Sequence, residues 1–242
     1  MKRLNIQLLN YNTEGFKQES LLFFSAKEKS PTIIFLHGHR SSAWESSLFG
    51  YLLSEAGFNV LIPSQVGYGL SEGNPDFCGP RTVDAVIDGI NYYLQNYQER
   101  SNKFGIWGIS RGSTVAALVA TKKPEIFSAH IFQSGAYEMK ENYETTLQGI
   151  RDVFNSEVRD ATSKDFFIRS PIYDIKKLKA PSLVLHGEDD ERILVEQAKS
   201  LDKALNDQKK VHQTVILKNV GHFITKVTRE EYSIPFLKKY LS

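Results

Sequence analysis

Short apolar runs recur along the chain, and stretches with helical spacing of apolar side chains separate them. Each run resembles a strand buried on both faces of a parallel sheet. The runs lie at residues 32–36, 59–63, 104–107, 129–132, 182–185 and 214–217. Helices are predicted around residues 44–58, 83–97, 115–121, 194–205 and 232–241, with Pro235 breaking the last helix or lying in its first turn.

Two earlier runs predict an antiparallel pair ahead of these strand–helix units. Residues 4–9 and 21–25 flank a turn-rich stretch at residues 10–15, a pattern typical of a β-hairpin. Together the runs predict an α/β fold with a mostly parallel eight-stranded sheet and helices on both faces. In such sheets, ligands bind beyond the carboxyl ends of the strands.

One interval breaks this rhythm and predicts an insertion. Residues 135–179 separate two strands and are too many for one crossover helix with ordinary loops. We therefore expect a single domain over residues 1–242, with a small helical cap at about residues 135–179. The apolar side chains of this cap either line an acyl pocket or pack a helix onto the core; they are Tyr143, Leu147, Ile150, Val153, Phe154, Val158, Phe166 and Phe167.

The amino-acid composition limits the cellular location and the binding partners that we expect for the protein. Among 242 residues, 30 basic and 28 acidic residues are scattered along the chain, so we expect no nucleic-acid partner. No run of about 18 apolar residues occurs, so no membrane-spanning helix is expected. The lone cysteine, Cys78, cannot form an internal disulfide, and the first residues lack an apolar signal core. A cytoplasmic location is therefore expected.

A G-x-S-x-G pentapeptide carries the first candidate for chemistry. The sequence G-I-S-R-G, centred on Ser110, follows the strand at residues 104–107 directly and precedes a helix. In that context the motif forms a sharp nucleophile elbow, where glycines two residues before and after the serine avoid crowding. By composition alone the motif occurs in roughly one protein of this length in ten, so the pentapeptide needs partners.

Both partners follow later strands. After residues 182–185, the sequence H-G-E-D-D-E-R-I supplies Asp189 and Asp190, either of which could serve as the acid. After residues 214–217, the sequence N-V-G-H-F places His222 at the same edge of the sheet. A serine hydroxyl needs a base to take its proton, and that base needs a carboxylate to orient it. We expect Ser110, His222 and an aspartate to fill these roles.

An acyl-transfer site also needs donors for the oxyanion. The expected donors are the backbone amides of Arg111, directly after the nucleophile, and of His39, in the loop after the first buried strand. We expect the Arg111 side chain to point away. Packing or structural hydrogen bonds account for the other histidines, and H-G-H at residues 37–39 lacks a third ligand at zinc spacing. Neither a metal nor a cofactor is expected.

With serine, acid and histidine in this order, the chain resembles the α/β-hydrolase superfamily, and specifically small members similar to the catalytic domain of prolyl oligopeptidases. The resemblance spans about residues 31–222 and includes H-G at residues 37–38, the elbow, S-P at residues 170–171, A-P-S-L at residues 180–183 and G-H at residues 221–222. Its H-G-x-x-D spacing implies Asp190 as the acid. The family's D-x-R-G-x-G-x-S stretch appears at residues 64–71 without its aspartate or arginine.

The leading hypothesis is hydrolysis of a carboxylic ester through an acyl-enzyme. A small aminopeptidase or amidase is the alternative, because the acid and serine loops have oligopeptidase-like spacing. A non-catalytic hydrolase-fold binding protein is a third hypothesis, kept by the departures at residues 64–71. The expected partner is a small ester or a short peptide; the sequence fixes neither the acyl chain nor the oligomeric state.

Overall fold

A single eight-stranded sheet forms the centre of the computed structural model, which describes residues 5–101 and 103–241. Leu4, the first residue of the first predicted strand, lies outside these ranges. The strands are β1 Ile6–Thr13, β2 Phe16–Phe23, β3 Thr32–Leu36, β4 Asn59–Pro63, β5 Phe104–Ile109, β6 Phe127–Gln133, β7 Ser182–Gly187 and β8 His212–Leu217. Their spatial order is β1-β2-β4-β3-β5-β6-β7-β8.

Eight α-helices lie among these strands in the described ranges. They are α1 Ser47–Glu55, α2 Pro80–Tyr97, α3 Arg111–Lys122, α4 Met139–Thr145, α5 Gln148–Glu157, α6 Ser163–Phe167, α7 Glu196–Asp207 and α8 Lys226–Leu241. Short 3-10 helices lie at Gln98–Arg100 and Pro171–Lys177.

The predicted hairpin and the parallel sheet are confirmed. Strands β1 and β2 pair antiparallel through a two-residue turn, Glu14-Gly15, in which both residues have positive φ angles of 50° and 84°. Such a turn matches the twist of the flanking strands. Strand β2 pairs antiparallel with β4, and every pair from β4 through β8 is parallel.

Helices cover both faces of the sheet, as predicted. One apolar cluster joins a face of the sheet to Val86 of α2, Val115 of α3 and Leu201 of α7. A second cluster joins the other face to Leu53 of α1 and Leu237 of α8. Most strands are therefore buried on both sides, which explains their continuous apolar runs.

Two helix boundaries differ from the sequence prediction. Helix α1 begins at Ser47, so Trp44 precedes it; that side chain is half exposed and donates its indole N–H to Glu19. Helix α8 begins at Lys226 and contains Pro235 in its interior instead of beginning near it. Neither difference moves the strand ends at which the candidate side chains lie.

The carboxyl ends of β3, β5, β6, β7 and β8 meet at one edge of the sheet, because these strands are parallel neighbours. Between β6 and β7 the chain forms α4, α5, α6 and the second 3-10 helix, which together make up the inserted segment. No helix in the described ranges is both long and apolar enough to cross a bilayer.

Candidate active site

Ser110 lies in a strained turn between β5 and α3. Its φ and ψ angles are 55° and −123°, a conformation that L-residues rarely adopt. A Cβ atom on Gly108 would overlap the backbone of Gly112, and one on Gly112 would overlap the carbonyl oxygen of Leu36. Both motif glycines are therefore required by close backbone approach, and the turn holds the Ser110 side chain above the end of the sheet.

Three side chains from separate loops form one hydrogen-bonded chain. Ser110 Oγ lies 2.9 Å from His222 Nε2, and His222 Nδ1 lies 2.7 Å from Asp190 Oδ2. Because an ionised carboxylate only accepts hydrogen bonds, Nδ1 carries the imidazole proton, and Nε2 accepts from the Ser110 hydroxyl. This arrangement can remove the hydroxyl proton during nucleophilic attack.

Asp190 is held ionised by the donors around it. The carboxylate is fully buried; burial opposes ionisation, but hydrogen bonds from His186 and His222 outweigh it and lower the pKa of Asp190 well below its usual range. Its Oδ1 also accepts from the backbone amides of Arg192 and Ile193, at 2.9 and 3.0 Å. Asp189, the alternative acid, is exposed on the same loop.

Sequence reasoning missed the contact between His186 and the acid. His186 Nε2 lies 2.8 Å from the Ile193 carbonyl oxygen and 3.2 Å from Asp190 Oδ2. The carbonyl and carboxylate oxygens can only accept hydrogen bonds, so the His186 Nε2 carries the proton. The His186 ring thereby holds the loop that contains Asp190. The H-G-x-x-D spacing contained this signal, because a tight turn brings residues four apart together.

The loop after β3 passes beside the elbow. A Cβ on Gly38 would lie 3.5 Å from the Ser110 Cβ, so the backbone around His39 runs along the candidate nucleophile. The Arg111 amide belongs to the first turn of α3, where N–H groups have no partner within the helix. His39 and Arg111, the residues whose amides we named from the sequence, line the inner cavity together with Ser110.

The Arg111 side chain lies inside the site, contrary to our expectation. It is 4% exposed and forms an ion pair of 2.9 Å with Glu157, the last residue of α5. Its guanidinium also donates to Gln65 and to the Tyr68 hydroxyl and stacks on the Tyr68 ring. A carboxylate 46 residues away in the inserted segment therefore turns the side chain inward.

The altered stretch at residues 64–71 is held without the family's aspartate and arginine. Gln65 donates its side-chain N–H to the His37 carbonyl oxygen at 2.6 Å, and its backbone amide donates to His37 Nε2 at 3.0 Å. The buried Glu19 carboxylate accepts from the Ser64 hydroxyl at 2.6 Å and from the Leu70 amide at 2.9 Å. Hydrogen bonds to His37 and to Glu19 of β2 thus hold this stretch in place.

A cavity of about 100 Å³ borders Ser110. We call it the inner cavity, and its lining includes Ser110, His222, Phe77, Met139, Ile150 and Val153. Ile150 and Val153 thus line a pocket, as one of our two hypotheses for the cap predicted. Phe154 and Val158 instead pack against the buried core of the inserted segment, as the other hypothesis predicted.

A second, somewhat more open cavity of about 500 Å³ also borders Ser110. We call it the outer cavity, and its lining includes Ser110, His222, Arg40, Glu45, Arg192 and Arg229. Ser110 and His222 border both cavities. A molecule whose reacting carbon contacts Ser110 can therefore extend into both.

The H-G-H sequence at residues 37–39 does not gather metal ligands. His37 Nδ1 donates to the Gly38 carbonyl oxygen at 2.8 Å, and its Nε2 is occupied by the Gln65 amide. The His39 ring contacts the Tyr68 hydroxyl at 2.8 Å. In residues 5–101 and 103–241, no group of three or more His, Cys, Asp or Glu side chains is arranged to hold a metal ion.

This sheet, with a serine elbow and an ordered histidine and acid at its carboxyl edge, defines an α/β-hydrolase fold. The sequence profile of the prolyl oligopeptidase family (Peptidase S9) matches residues 44–242. The chain belongs to this family of serine hydrolases.

Two curated relatives match most of this chain. The chain is 25% identical over 170 residues to the uncharacterized peptidase YtmA of Bacillus subtilis, covering 69% of this chain and 65% of the relative. It is 31% identical over 186 residues to human protein ABHD12B, covering 72% of this chain and 50% of the relative. The chain thus spans about half to two thirds of the length of these relatives.

Solved structures share the fold at lower identity. An acylaminoacyl peptidase of Pyrococcus horikoshii superposes with a TM-score of 0.85 at 19% identity, covering 100% of this chain and 42% of that chain. The Pyrococcus furiosus esterase Pf2001 superposes with a TM-score of 0.78 at 20% identity, covering 99% of this chain and 94% of that chain. The match to the esterase therefore extends over nearly the whole of both chains.

Proposed function

We propose that this protein hydrolyses carboxylic esters of short acyl chains through an acyl-enzyme on Ser110. Ser110 is the nucleophile, His222 the general base and acid, and Asp190 the group that orients His222. The hydrogen-bonded chain from Ser110 Oγ through His222 to Asp190 carries this proposal. Residues 135–179, within a single domain, act as the cap over the acyl group.

In the first half-reaction, Ser110 Oγ attacks the ester carbonyl carbon while its proton passes to His222 Nε2. The carbonyl oxygen becomes an oxyanion and accepts hydrogen bonds from the backbone amides of Arg111 and His39. His222 then donates the proton to the leaving oxygen, whose bond to the carbonyl carbon breaks. Water, activated by the same imidazole, cleaves the acyl-enzyme in the second half-reaction.

The inner cavity sets the size of the acyl group. Its volume of about 100 Å³ is about one fifth of that of the outer cavity, which favours a short acyl chain. The apolar lining from Phe77, Met139 and Val153 favours an aliphatic chain without charge. We therefore expect butyrate esters to be better substrates than octanoate esters.

A panel of para-nitrophenyl esters from acetate to octanoate tests this function. We expect the highest kcat/KM near butyrate for the wild type and background rates for Ser110→Ala. A matched control is Ser156→Ala, because Ser156 lies on α5, its hydroxyl donates to the Val153 carbonyl oxygen, and the described linings of the two cavities do not include it. Equal ester hydrolysis by the wild type and Ser110→Ala would contradict the proposal.

A small peptidase or amidase is the second candidate, favoured by the superposition with acylaminoacyl peptidase. The same acyl-enzyme chemistry serves an amide, whose leaving nitrogen takes the proton from His222. Amino-acid para-nitroanilides, with free and with acetylated amino groups, separate the two functions. Turnover of these amides with no turnover of butyrate esters would favour the peptidase.

We also propose that the partner is a small ester or short peptide and that the protein acts in the cytoplasm. Cys78 is buried, and burial raises the pKa of its thiol to about 12, so the thiol is unreactive at neutral pH. Cell fractionation with an antibody to the protein tests the location. Recovery outside the cytoplasmic fraction would contradict it.

A further inference from the structure

The outer cavity collects arginines from three parts of the chain. Arg40 follows β3, Arg192 follows β7 in the loop of the candidate acid, and Arg229 lies in α8. All three line the same cavity as Ser110 and His222. The fold therefore brings three guanidinium groups to one side of the candidate nucleophile.

These positive charges are only partly compensated within the described part of the chain, where Glu230 interacts electrostatically with Arg229. None of the three arginines forms an ion pair there; the arginines that do are Arg81, Arg111 and Arg169. Glu45 is the one carboxylate in the cavity lining, and it accepts from the Ser42 hydroxyl. The electrostatic potential of the outer cavity is therefore positive.

Ring contacts position two of the guanidinium groups. Arg192 lies 4.7 Å from the centre of the exposed Phe223 ring, and Arg229 lies 4.2 Å from the centre of the Phe49 ring. Arg229 Nη1 donates to the Ile224 carbonyl oxygen, whereas its buried Nε has no acceptor among the described residues. An anion in the cavity would stabilise this incompletely compensated charge.

The inner cavity differs because Arg40 and Arg229 do not line it and its buried guanidinium, Arg111, is paired with Glu157. Arg192 borders both cavities, and most of the surface that lines the inner cavity is apolar. An ester bound at Ser110 places its acyl group on one side and its leaving group on the other. The apolar inner cavity suits an acyl chain, which leaves the arginine-lined outer cavity for the leaving group.

We propose that the outer cavity binds an anionic group, a carboxylate or a phosphate, on the leaving group of the substrate. This inference rests on the proposed ester hydrolysis at Ser110. The bond from Ser110 Oγ to the carbonyl carbon forms, the bond to the leaving oxygen breaks, and the serine proton passes through His222 to that oxygen. The released alcohol or phenol carries the anion.

Matched esters with one acyl group test the preference. The set is para-butyryloxybenzoate, para-butyryloxyphenyl phosphate and the neutral methyl para-butyryloxybenzoate. For each protein we compare the ratio of kcat/KM for the anionic ester to kcat/KM for the neutral ester, because intrinsic ester reactivity cancels between proteins. We expect Arg40→Gln, Arg192→Gln and Arg229→Gln each to lower this ratio about five-fold, the effect of a unit charge at several ångströms in a partly solvated site.

Three comparisons sharpen the test. Arg159→Gln is the matched control, because Arg159 is exposed and borders a different surface pocket; its ratio should equal that of the wild type. Raising the ionic strength to about 1 M should reduce the wild-type ratio, because charges separated by more than about 3 Å are then screened. Monophenyl glutarate, with its carboxylate on the acyl side, should gain nothing from Arg40 and Arg229, which line the outer cavity but not the inner one. The benzoate and phosphate esters show which anion is preferred.

Hydrolysis of the neutral ester separates failure of this inference from failure of the proposed function. If the wild type cleaves the neutral ester but the ratio is unchanged in all three variants, the anion site is wrong and ester hydrolysis stands. If the wild type cleaves no ester, a binding measurement still tests the anion site. Calorimetry with Ser110→Ala should show para-hydroxybenzoate binding more tightly than its methyl ester, and the reverse order or equal binding would overturn the inference.

Discussion

The two cavities that meet at Ser110 differ in size, origin and charge. The inner cavity is small, apolar and walled partly by the inserted segment, whereas the outer cavity is about 500 Å³, more open and lined by three arginines. Within the inner cavity, Glu157 neutralises Arg111. In the mechanism that we propose, one edge of the sheet supplies the reacting groups, and the segments around that edge determine what the acyl group and the leaving group contact.

The largest expected effect is the loss of activity when the candidate catalytic residues Ser110 and Asp190 are substituted. Ser110→Ala should lower kcat/KM for para-nitrophenyl butyrate by about 10⁴-fold or more, and Asp190→Asn by about 10³-fold to 10⁴-fold, because the amide cannot hold the required imidazole tautomer. Asp189→Asn is the matched control and should retain wild-type rates, since Asp189 is exposed. A large loss in Asp189→Asn with none in Asp190→Asn would reassign the acid.

The next largest expected effect is a loss of stability when Glu157, the partner of Arg111 beside the inner cavity, is substituted. Glu157→Ala leaves the buried Arg111 charge without its partner and removes the acceptor of the Phe77 amide, so the free energy of unfolding should fall by about 3 kcal/mol. Urea denaturation measures this change. Glu144→Ala removes the partner of an exposed, 3.9 Å pair with Lys140 and should change stability by less than about 0.5 kcal/mol. Equal effects would mean that the Arg111 pair is not buried.

Enlarging the inner cavity should change acyl selectivity without involving the outer cavity. Val153→Ala should raise kcat/KM for hexanoate relative to butyrate by about tenfold, because two further methylene groups gain about 0.8 kcal/mol each on burial. Leu147→Ala is the control, since Leu147 is half exposed and lies outside the cavity lining. An unchanged chain-length profile in Val153→Ala would place the acyl group elsewhere.

The smallest effect concerns His37, which lines the outer cavity. Burial lowers the pKa of His37 to about 4, from a usual value near 6.5. The unfolded chain therefore takes up a proton as pH falls through 6.5, and the folded protein does so only near pH 4. This contribution to stability is complete above about pH 6.5 and is lost as pH falls towards 4.

Urea denaturation at several pH values tests this linkage. Between pH 7 and 5.5, His37 should account for about 1 kcal/mol of lost stability. His37→Asn keeps a side-chain N–H but does not titrate, so its stability should fall by that much less over the same interval. The same pH dependence in both proteins would show that His37 is not held neutral by the fold.

Much of the fold followed from local patterns in the sequence. Strands buried on both faces need continuous apolar runs, and the elbow needs Gly108 and Gly112 for steric reasons. Ser110 and His222 could be proposed because each follows a strand whose carboxyl end lies at the same edge, whereas the choice of Asp190 over Asp189 came from the H-G-x-x-D spacing that the family resemblance implies.

Long-range pairing could not be predicted in the same way. The Arg111 side chain turns inward because of Glu157, and Glu19 on β2 holds the stretch at residues 64–71. The arginines of the outer cavity are up to 189 positions apart and share a wall only because separate loops return to one edge. No periodic pattern in the sequence predicts that such distant residues come together. The spacing of apolar residues placed Trp44 in α1, but Trp44 lies before that helix and its indole N–H donates a hydrogen bond to Glu19.

Covalent labelling tests our claim that Ser110 is an activated nucleophile. Purified protein would be treated with a fluorophosphonate, and the modified residue identified by mass spectrometry, beside Ser110→Ala and Asp190→Asn. We expect one adduct, on Ser110, with labelling abolished in Ser110→Ala and slowed strongly in Asp190→Asn. Folded wild-type protein that stays unlabelled, or an adduct on another serine, would contradict the claim.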